Sequence, residues 1–159
     1  IELKTSVLLK GALQIGAVLG GANEKDIENI GEFGRCLGLA FQLQDDLLDT
    51  YGNVDVFGKN IGGDIVAGKK TILTIETINL LGLKAETFVG LLQNKTLSRY
   101  TKVNDVIKIY DQVGVKQIAE ALIEEYFKRA YDSLMKISVP DERKVVLIEI
   151  AQNLMNRQN

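Results

Sequence analysis

The chain has 159 residues, of which 46% are hydrophobic and 25% are charged, and its formal net charge is −2. This composition predicts a globular protein with a sizeable core, and it provides no basic surface of the kind that nucleic-acid-binding proteins carry, so we expect no nucleic-acid partner. The absence of histidine excludes histidine-based zinc sites and catalytic Ser-His-Asp or Cys-His groups.

Two features bear on the compartment in which the protein works. Cys36 is the only cysteine, so no internal disulfide can form, which favours a reducing cytoplasm. The longest apolar stretch, residues 7–22, is interrupted by Lys10 and Gln14, so we expect no stable membrane insertion.

The chain opens at Ile1, inside an apolar helical pattern rather than at a methionine, which we interpret as a processed or incomplete chain.

Apolar residues recur at intervals of three and four along most of the chain, and Pro140 is the only proline. This periodicity predicts an all-α protein, an antiparallel helical bundle with short connections. The only irregular stretch is Gly52–Lys70. The predicted helices cover about residues 3–20, 24–51, 70–82, 84–93, 103–113, 115–137 and 140–157.

Polar residues and glycines mark the ends of these helices. Asn23 predicts the N-cap of the second helix, and Ser138 with Asp141 three residues later resembles a capping box for the last one. Glycine favours the residue just after a helix, because it adopts the left-handed conformation without a steric cost. Three glycines stand at predicted helix ends: Gly52, Gly82 and Gly114.

The end of the second helix carries three aspartates. Asp45 and Asp49 are one turn apart and share a face, Gln42 lies one turn before Asp45, and Asp46 is displaced by about 100°. Like charges at this spacing repel one another, and a hard divalent cation such as Mg²⁺ would offset the repulsion with an all-oxygen ligand set. A solvated acidic face is the alternative interpretation of the pattern.

The segment after the acidic helix combines glycines with lysines, in Gly58-Lys59, Gly63-Asp64 and Gly68-Lys69-Lys70-Thr71. Glycine lets the backbone approach a ligand closely, and lysine supplies a compact charge for phosphate. The alternative is a solvated loop. A nucleotide-binding P-loop is disfavoured, because Lys70 occupies the position that requires Ser or Thr and no buried strand precedes the segment.

Taken in order, these features resemble the trans-isoprenyl diphosphate synthase family, also called the polyprenyl synthetase family. The resemblance is close over roughly the first 75 residues, and the remainder matches only as amphipathic helices. The matching positions are Lys4-Thr5, Phe41-Gln42, Asp45-Asp46-Leu47-Leu48-Asp49, Gly58-Lys59, Gly63-Asp64-Ile65 and Gly68-Lys69-Lys70-Thr71. The resemblance implies the isoprenoid synthase fold, with residues 1–159 forming the C-terminal half of its single domain.

The resemblance also implies a Mg²⁺-dependent prenyltransferase that condenses an allylic diphosphate with isopentenyl diphosphate into a longer trans-prenyl diphosphate. Asp45 and Asp49 are the implied metal-binding pair, with Asp46 in support. Asp64 belongs to the family motif without an assigned role. A homodimer in the cytoplasm is expected for such an enzyme.

Five further residues take roles from the same resemblance. Lys4, Lys59 and Lys69 would bind the allylic diphosphate. Thr5 and Gln42 would face the allylic cation as it develops. The implied catalytic residues are Lys4, Thr5, Gln42 and Lys59.

The chain departs from the family in one large respect, because the first aspartate-rich motif and the isopentenyl diphosphate site are absent from it. Two alternatives therefore stay open, a terpene cyclase-like enzyme and a non-catalytic subunit of the same fold. The lysine-rich segment argues against a cyclase, and the intact Asp45, Asp49 and Lys59 argue against a decayed subunit. The apolar helix at 3–20 would need neighbours on more than one side, so self-association or contact with absent helices is expected.

We expect residues 1–159 alone to be inactive. Ionisation of the allylic substrate requires metal held from two sides of the diphosphate, and only one aspartate-rich motif is present. The measurement is incubation of the purified chain with farnesyl diphosphate, isopentenyl diphosphate and Mg²⁺. Sustained formation of longer prenyl diphosphates that Asp45→Asn abolishes would contradict the expectation.

Overall fold

The computed structural model describes residues 5–52 and 61–155, and these residues contain helices and no strand. The all-α prediction is therefore confirmed for this part of the chain. The α-helices are α1 (Val7–Leu19), α2 (Glu24–Tyr51), α3 (Gly63–Val66), α4 (Ile72–Leu81), α5 (Ala85–Gln93), α6 (Arg99–Val113), α7 (Val115–Met135) and α8 (Val145–Met155). Short 3₁₀ turns occupy Gly82–Lys84 and Asp141–Arg143. Lys4 and Lys59 lie outside the described residues.

The helix ends follow the predicted signals at several positions. Asn23 Oδ1 accepts a hydrogen bond from the Asp26 N–H at 2.9 Å, and Gly114 ends α6 in the left-handed conformation with φ of 70°. The start of α6 was predicted too late: Ser98 Oγ accepts from the Thr101 N–H at 3.1 Å, so the helix begins at Arg99 rather than near residue 103.

Two other predictions were wrong. Gly52–Lys70 is not irregular throughout, because α3 lies inside it. Ser138 does not cap the last helix: its N–H donates to Asp26 Oδ1 at 2.9 Å and its hydroxyl donates to Asp26 Oδ2. The Ser138 bonds hold the pKa of Asp26 below its usual range. A 3₁₀ turn follows Pro140, and α8 starts at Val145.

The chain divides into two compact units. The first comprises Ile1–Gln42 and Ala121–Arg157. Its core is formed by one face of α2, the last turns of α7, and α8. Helix α1 packs against this core through Leu9, Leu13 and Ala17. The buried core residues are Ile30, Phe33, Cys36, Leu37, Ala130, Leu134 and Ala151.

Two glycines allow α1 and α2 to approach closely. A Cβ atom at Gly34 would lie 2.7 Å from Leu13 Cδ1 and 3.2 Å from the Leu9 carbonyl oxygen, and a Cβ atom at Gly38 would lie 2.8 Å from Ser6 Cα. Side chains at these positions would therefore force the helices apart. The opposite side of α1 is apolar and exposed, with Leu8 at 76% and Leu19 at 83%. The expected association through this helix stays a prediction. None of the described helices has the length and hydropathy needed to cross a membrane.

The second unit comprises Leu43–Glu120. Its core includes Leu73 of α4, Phe88 of α5 and Tyr110 of α6, all nearly inaccessible to solvent. The Phe88 and Tyr110 rings are tilted by 55° with centroids 5.9 Å apart, a favourable aromatic geometry. Ile65 places the short α3 on this core.

Glu32 in the first unit should make stability depend on acid. It accepts hydrogen bonds from Arg35 Nε at 2.8 Å, Cys36 Sγ at 3.2 Å and Arg129 Nη2 at 3.3 Å. The Arg35 hydrogen bond is the main reason that the pKa of Glu32 falls to about 2 from its ordinary value of 4.5. The stabilisation is therefore fully present above pH 4.5 and is lost as the pH falls towards 2.

We expect Glu32→Gln to lower the free energy of unfolding at neutral pH by about 1 kcal/mol, the size expected of a half-exposed charged pair, and to flatten its decline below pH 4.5. Urea denaturation between pH 2.5 and 7 measures both effects. Glu28→Gln, on the exposed side of the same helix, is the matched control. Parallel pH profiles for wild type and Glu32→Gln would contradict the prediction.

Candidate functional site

Thr5 and Gln42 meet in the first unit. Thr5 Oγ1 donates a hydrogen bond to Gln42 Oε1 over 3.1 Å. The bond joins the chain just before α1 to α2, and it depends on the close helix approach that Gly34 and Gly38 allow. The structure therefore brings together the two polar residues that the resemblance assigns to the developing cation. Their neighbour Lys4 lies outside the described residues.

The three aspartates near the end of α2 have different environments. Asp45 is exposed, Asp46 is 7% exposed, and Asp49 is partly buried. Burial raises the pKa of Asp49 above its ordinary value, against the lowering effect of the hydrogen bond from the Asp64 N–H. Asp45 and Asp49 share a helix face as predicted, and Asp49 contacts the Gly62–Asp64 part of the segment that follows the helix.

Asp49 anchors the Gly62–Asp64 turn. Its Oδ2 accepts a hydrogen bond from the Asp64 N–H at 2.8 Å, and its backbone carbonyl accepts from the Gly62 N–H at 2.6 Å. Gly62 has φ of 76°, and a Cβ atom there would lie 2.7 Å from Val103 Cγ2. A Cβ atom at Gly63 would lie 3.1 Å from Asp49 Oδ1. Gly62 is thus required for the turn, and a side chain at position 63 would push the Asp49 carboxylate by a few tenths of an ångström.

Lys69 reaches back over the same turn. Its ammonium forms an ion pair with Asp64 Oδ1, and the hydrogen bond and charge of Asp64 raise the pKa of Lys69. The Lys69 side chain is 62% exposed, so it remains accessible to a ligand. Thr74 Oγ1 lies 3.3 Å from the Lys69 carbonyl oxygen and 2.9 Å from Tyr110 Oη, which fixes the backbone after Lys69 on the buried core.

The sequence interpretation missed Arg99. Its Nη2 donates to the Ile61 carbonyl oxygen at 2.9 Å, so the turn is held by α6 as well as by α2. The positive charges of Lys69 and Arg99 also act to lower the pKa of Asp49. No motif distinguishes Arg99 from other charged residues at exposed helix starts, and it is 38 positions from its partner in the sequence.

The end of α2 has a further support. Tyr51 Oη donates to Asp111 Oδ1 at 2.9 Å, and Lys116 Nζ lies 5.1 Å from the centre of the Tyr51 ring. Burial is the main reason that the pKa of Tyr51 is raised, with the Asp111 carboxylate adding to it. Asp49 is two residues away on the same helix, so these contacts help to keep its carboxylate in place.

A metal fits this region in its donor chemistry. Asp45 and Asp49 offer carboxylate oxygens, which suit Mg²⁺, and Mg²⁺ commonly binds one or two carboxylates and completes its shell with water and phosphate. Within residues 5–52 and 61–155, no group of three or more His, Cys, Asp or Glu side chains is placed to hold a metal by itself. Water or other oxygen ligands would complete the shell around these carboxylates.

Comparisons with known proteins agree with this geometry. The sequence profile of the polyprenyl synthetase family matches residues 1–113. The chain is 38% identical over 141 residues to the geranylgeranyl diphosphate synthase of Sulfolobus acidocaldarius, covering 87% of this chain and 42% of that protein. It is 29% identical over 160 residues to a short chain isoprenyl diphosphate synthase of Methanothermobacter thermautotrophicus, covering 100% of this chain and 48% of that protein.

Solved structures give the same result. A crystal structure of a geranylgeranyl pyrophosphate synthase superposes with a TM-score of 0.87 at 35% identity, covering all of this chain and 50% of that one. The chain thus spans about half the length of the proteins it matches. Fold and site together define an all-α protein of the isoprenoid synthase class. The chain belongs to the polyprenyl synthetase family.

Arg99→Gln should loosen the Gly62–Asp64 turn. The substitution removes the hydrogen bond to Ile61, so the Asp64 amide should exchange with deuterium roughly tenfold faster, which corresponds to about 1.4 kcal/mol of lost local stability. Hydrogen exchange read by mass spectrometry measures this rate. Lys108→Gln, on the same helix and paired only with Asp105 among the described residues, should leave it unchanged. Equal exchange in all three proteins would show that Arg99 does not hold the turn.

Proposed function

We propose that the intact protein is a Mg²⁺-dependent prenyltransferase that condenses an allylic diphosphate with isopentenyl diphosphate. The observation that carries the proposal is the joint arrangement of Asp49, Asp64 and Lys69, in a chain of the polyprenyl synthetase family. Several relatives are named farnesyl, geranylgeranyl or short chain isoprenyl diphosphate synthases, which favours condensation over a cyclase-like reaction or a non-catalytic role.

The described residues would divide the work on the diphosphate. Asp45, Asp46 and Asp49 are the residues that would hold Mg²⁺, which when bound neutralises charge on the diphosphate. Lys69 would donate to the phosphate oxygens with its exposed ammonium, in exchange for part of its contact with Asp64. Asp49 and Arg99 fix the turn that carries Asp64, and Asp64 pairs with Lys69. The Lys69 ammonium would therefore be positioned before the substrate binds.

The reaction transfers carbon without an acid–base residue. The bond between allylic C1 and the diphosphate oxygen breaks with its electron pair on the diphosphate. The isopentenyl double bond then forms a carbon–carbon bond to C1, and the released diphosphate accepts the proton that is lost. Thr5 and Gln42 present hydrogen-bonded oxygens, which would stabilise positive charge at the allylic carbons. Lys4 and Lys59 are proposed to join Lys69 on the diphosphate, and a cytoplasmic homodimer is the proposed form.

The experiment is Asp45→Asn in the intact protein. Because Asp45 is exposed, we expect turnover with farnesyl and isopentenyl diphosphates to fall roughly 100-fold or more while the melting temperature stays within ~2 °C. Activity should also disappear with EDTA and return with Mg²⁺. Asp105→Asn, on α6, is the control for loss of one negative charge. Parallel losses of activity and melting temperature would favour a structural role for Asp45.

A further inference from the structure

A cavity in the Leu43–Glu120 unit is lined by several lysines. It has a volume of about 570 Å³ and opens among the segment after α3, α4, α5 and the start of α6. Lys70, Lys95 and Lys102 line it, and no Asp or Glu of the described residues does. The three positive charges repel one another, although water screens part of the repulsion because Lys70 and Lys95 are exposed, and an anion in the cavity would relieve it.

Lys102 is the least expected of the three lysines. It is only 7% exposed, and no carboxylate of the described residues lies within 4 Å of its ammonium. Burial of most of the side chain restricts the access of water to its ammonium, and restricted hydration is costly without a compensating negative charge. Lys102 is also in the first turn of α6, where the helix dipole is positive and disfavours a cation. Burial, neighbouring lysines and the helix dipole therefore all disfavour this side chain in the absence of a ligand.

The lining of the cavity also includes an apolar wall. It is formed by Val66, Ile78, Val89 and Leu92, and Gln93 adds a neutral hydrogen-bonding group. The volume is within the range of small-molecule sites. A charged rim beside an apolar wall suits a compact anion, with room for a short hydrocarbon group attached to it.

We propose that this cavity binds a ligand of the diphosphate class, at a site separate from the one formed by Asp49, Asp64 and Lys69. Several negative charges on one small group are needed to compensate three lysines. The ammonium groups would donate charge-assisted hydrogen bonds to its phosphate oxygens. The Lys102 side chain, already buried and ordered, would lose little further conformational freedom on binding.

The cavity and the proposed substrate site share a short stretch of backbone. Gly68 and Lys70 line the cavity, whereas Lys69 between them pairs with Asp64. A ligand that fixes Gly68 and Lys70 would therefore change the freedom of Lys69. If the two sites are coupled, occupation of each one must change the affinity of the other by the same factor.

The test is a calorimetric titration of the intact protein with inorganic diphosphate in the presence of EDTA. Without metal, the aspartate site contributes little, so the titration reports the metal-independent sites, including the isopentenyl diphosphate site of the intact protein, and the difference between variants isolates the lysine cavity. Lys102→Met should weaken this binding roughly ten- to hundredfold, the effect of losing one charge-assisted hydrogen bond. Lys108→Met, on the exposed side of the same helix, is the matched control, and Lys69→Met reports on the other site.

Metal-independent binding that survives Lys69→Met and Lys108→Met but not Lys102→Met supports the proposal. Equal affinity in wild type and Lys102→Met, or loss only in Lys69→Met, overturns it. If Lys102→Met does not fold, Lys95→Gln at the exposed rim takes its place with the same two outcomes. A parallel titration with farnesyl diphosphate separates the two sources of affinity. Tighter binding than that of inorganic diphosphate would show that a hydrocarbon chain contacts the apolar wall. Equal binding would show that the cavity recognises the phosphates alone.

Discussion

The carboxylate of Asp49 is the contact on which the rest of the candidate site depends. It is the point where the last turns of α2 meet the backbone that carries Asp64 and leads to Lys69. The hydrogen bond between this carboxylate and the Asp64 N–H fixes the position of the backbone at Asp64, and the residues that follow, including Lys69, are positioned with it. Asp49 is at the same time one of the residues proposed to hold Mg²⁺. One side chain would thus couple metal position to lysine position.

This arrangement gives the three aspartates separate tasks. Asp45 is exposed and free to meet a ligand, whereas Asp46 is buried and Asp49 is engaged with the turn. Burial and the charge of Asp64 raise the pKa of Asp49, and the Asp64 N–H together with the charges of Lys69 and Arg99 offsets this effect only in part. Asp49 is therefore partly buried and partly compensated by neighbouring groups, and the solvated-face interpretation does not describe it.

The cavity lined by Lys70, Lys95 and Lys102 raises the same question of charge compensation. Lys69 has an internal carboxylate partner, but Lys102 has none among the described residues. Asp64 thus compensates the charge of Lys69, and the proposed diphosphate ligand would compensate the charge of Lys102. The difference matters because the two sites are connected through Gly68 and Lys70, so a ligand in the cavity would act on the proposed catalytic lysine through a few backbone bonds.

The sequence by itself determined the helical class, most helix positions and the residue types of the candidate site. Periodicity and caps such as Asn23 are local signals, and the order of the aspartate, glycine and lysine motifs was enough to indicate the family. Tertiary structure decided the partners. Asp64 reaches Asp49 through a backbone N–H that no residue type reveals, and Ser138 bonds Asp26, 112 positions away, instead of capping α8. No local pattern distinguishes Arg99 and Lys102 from other charged residues, because burial and pairing arise only when distant segments pack together.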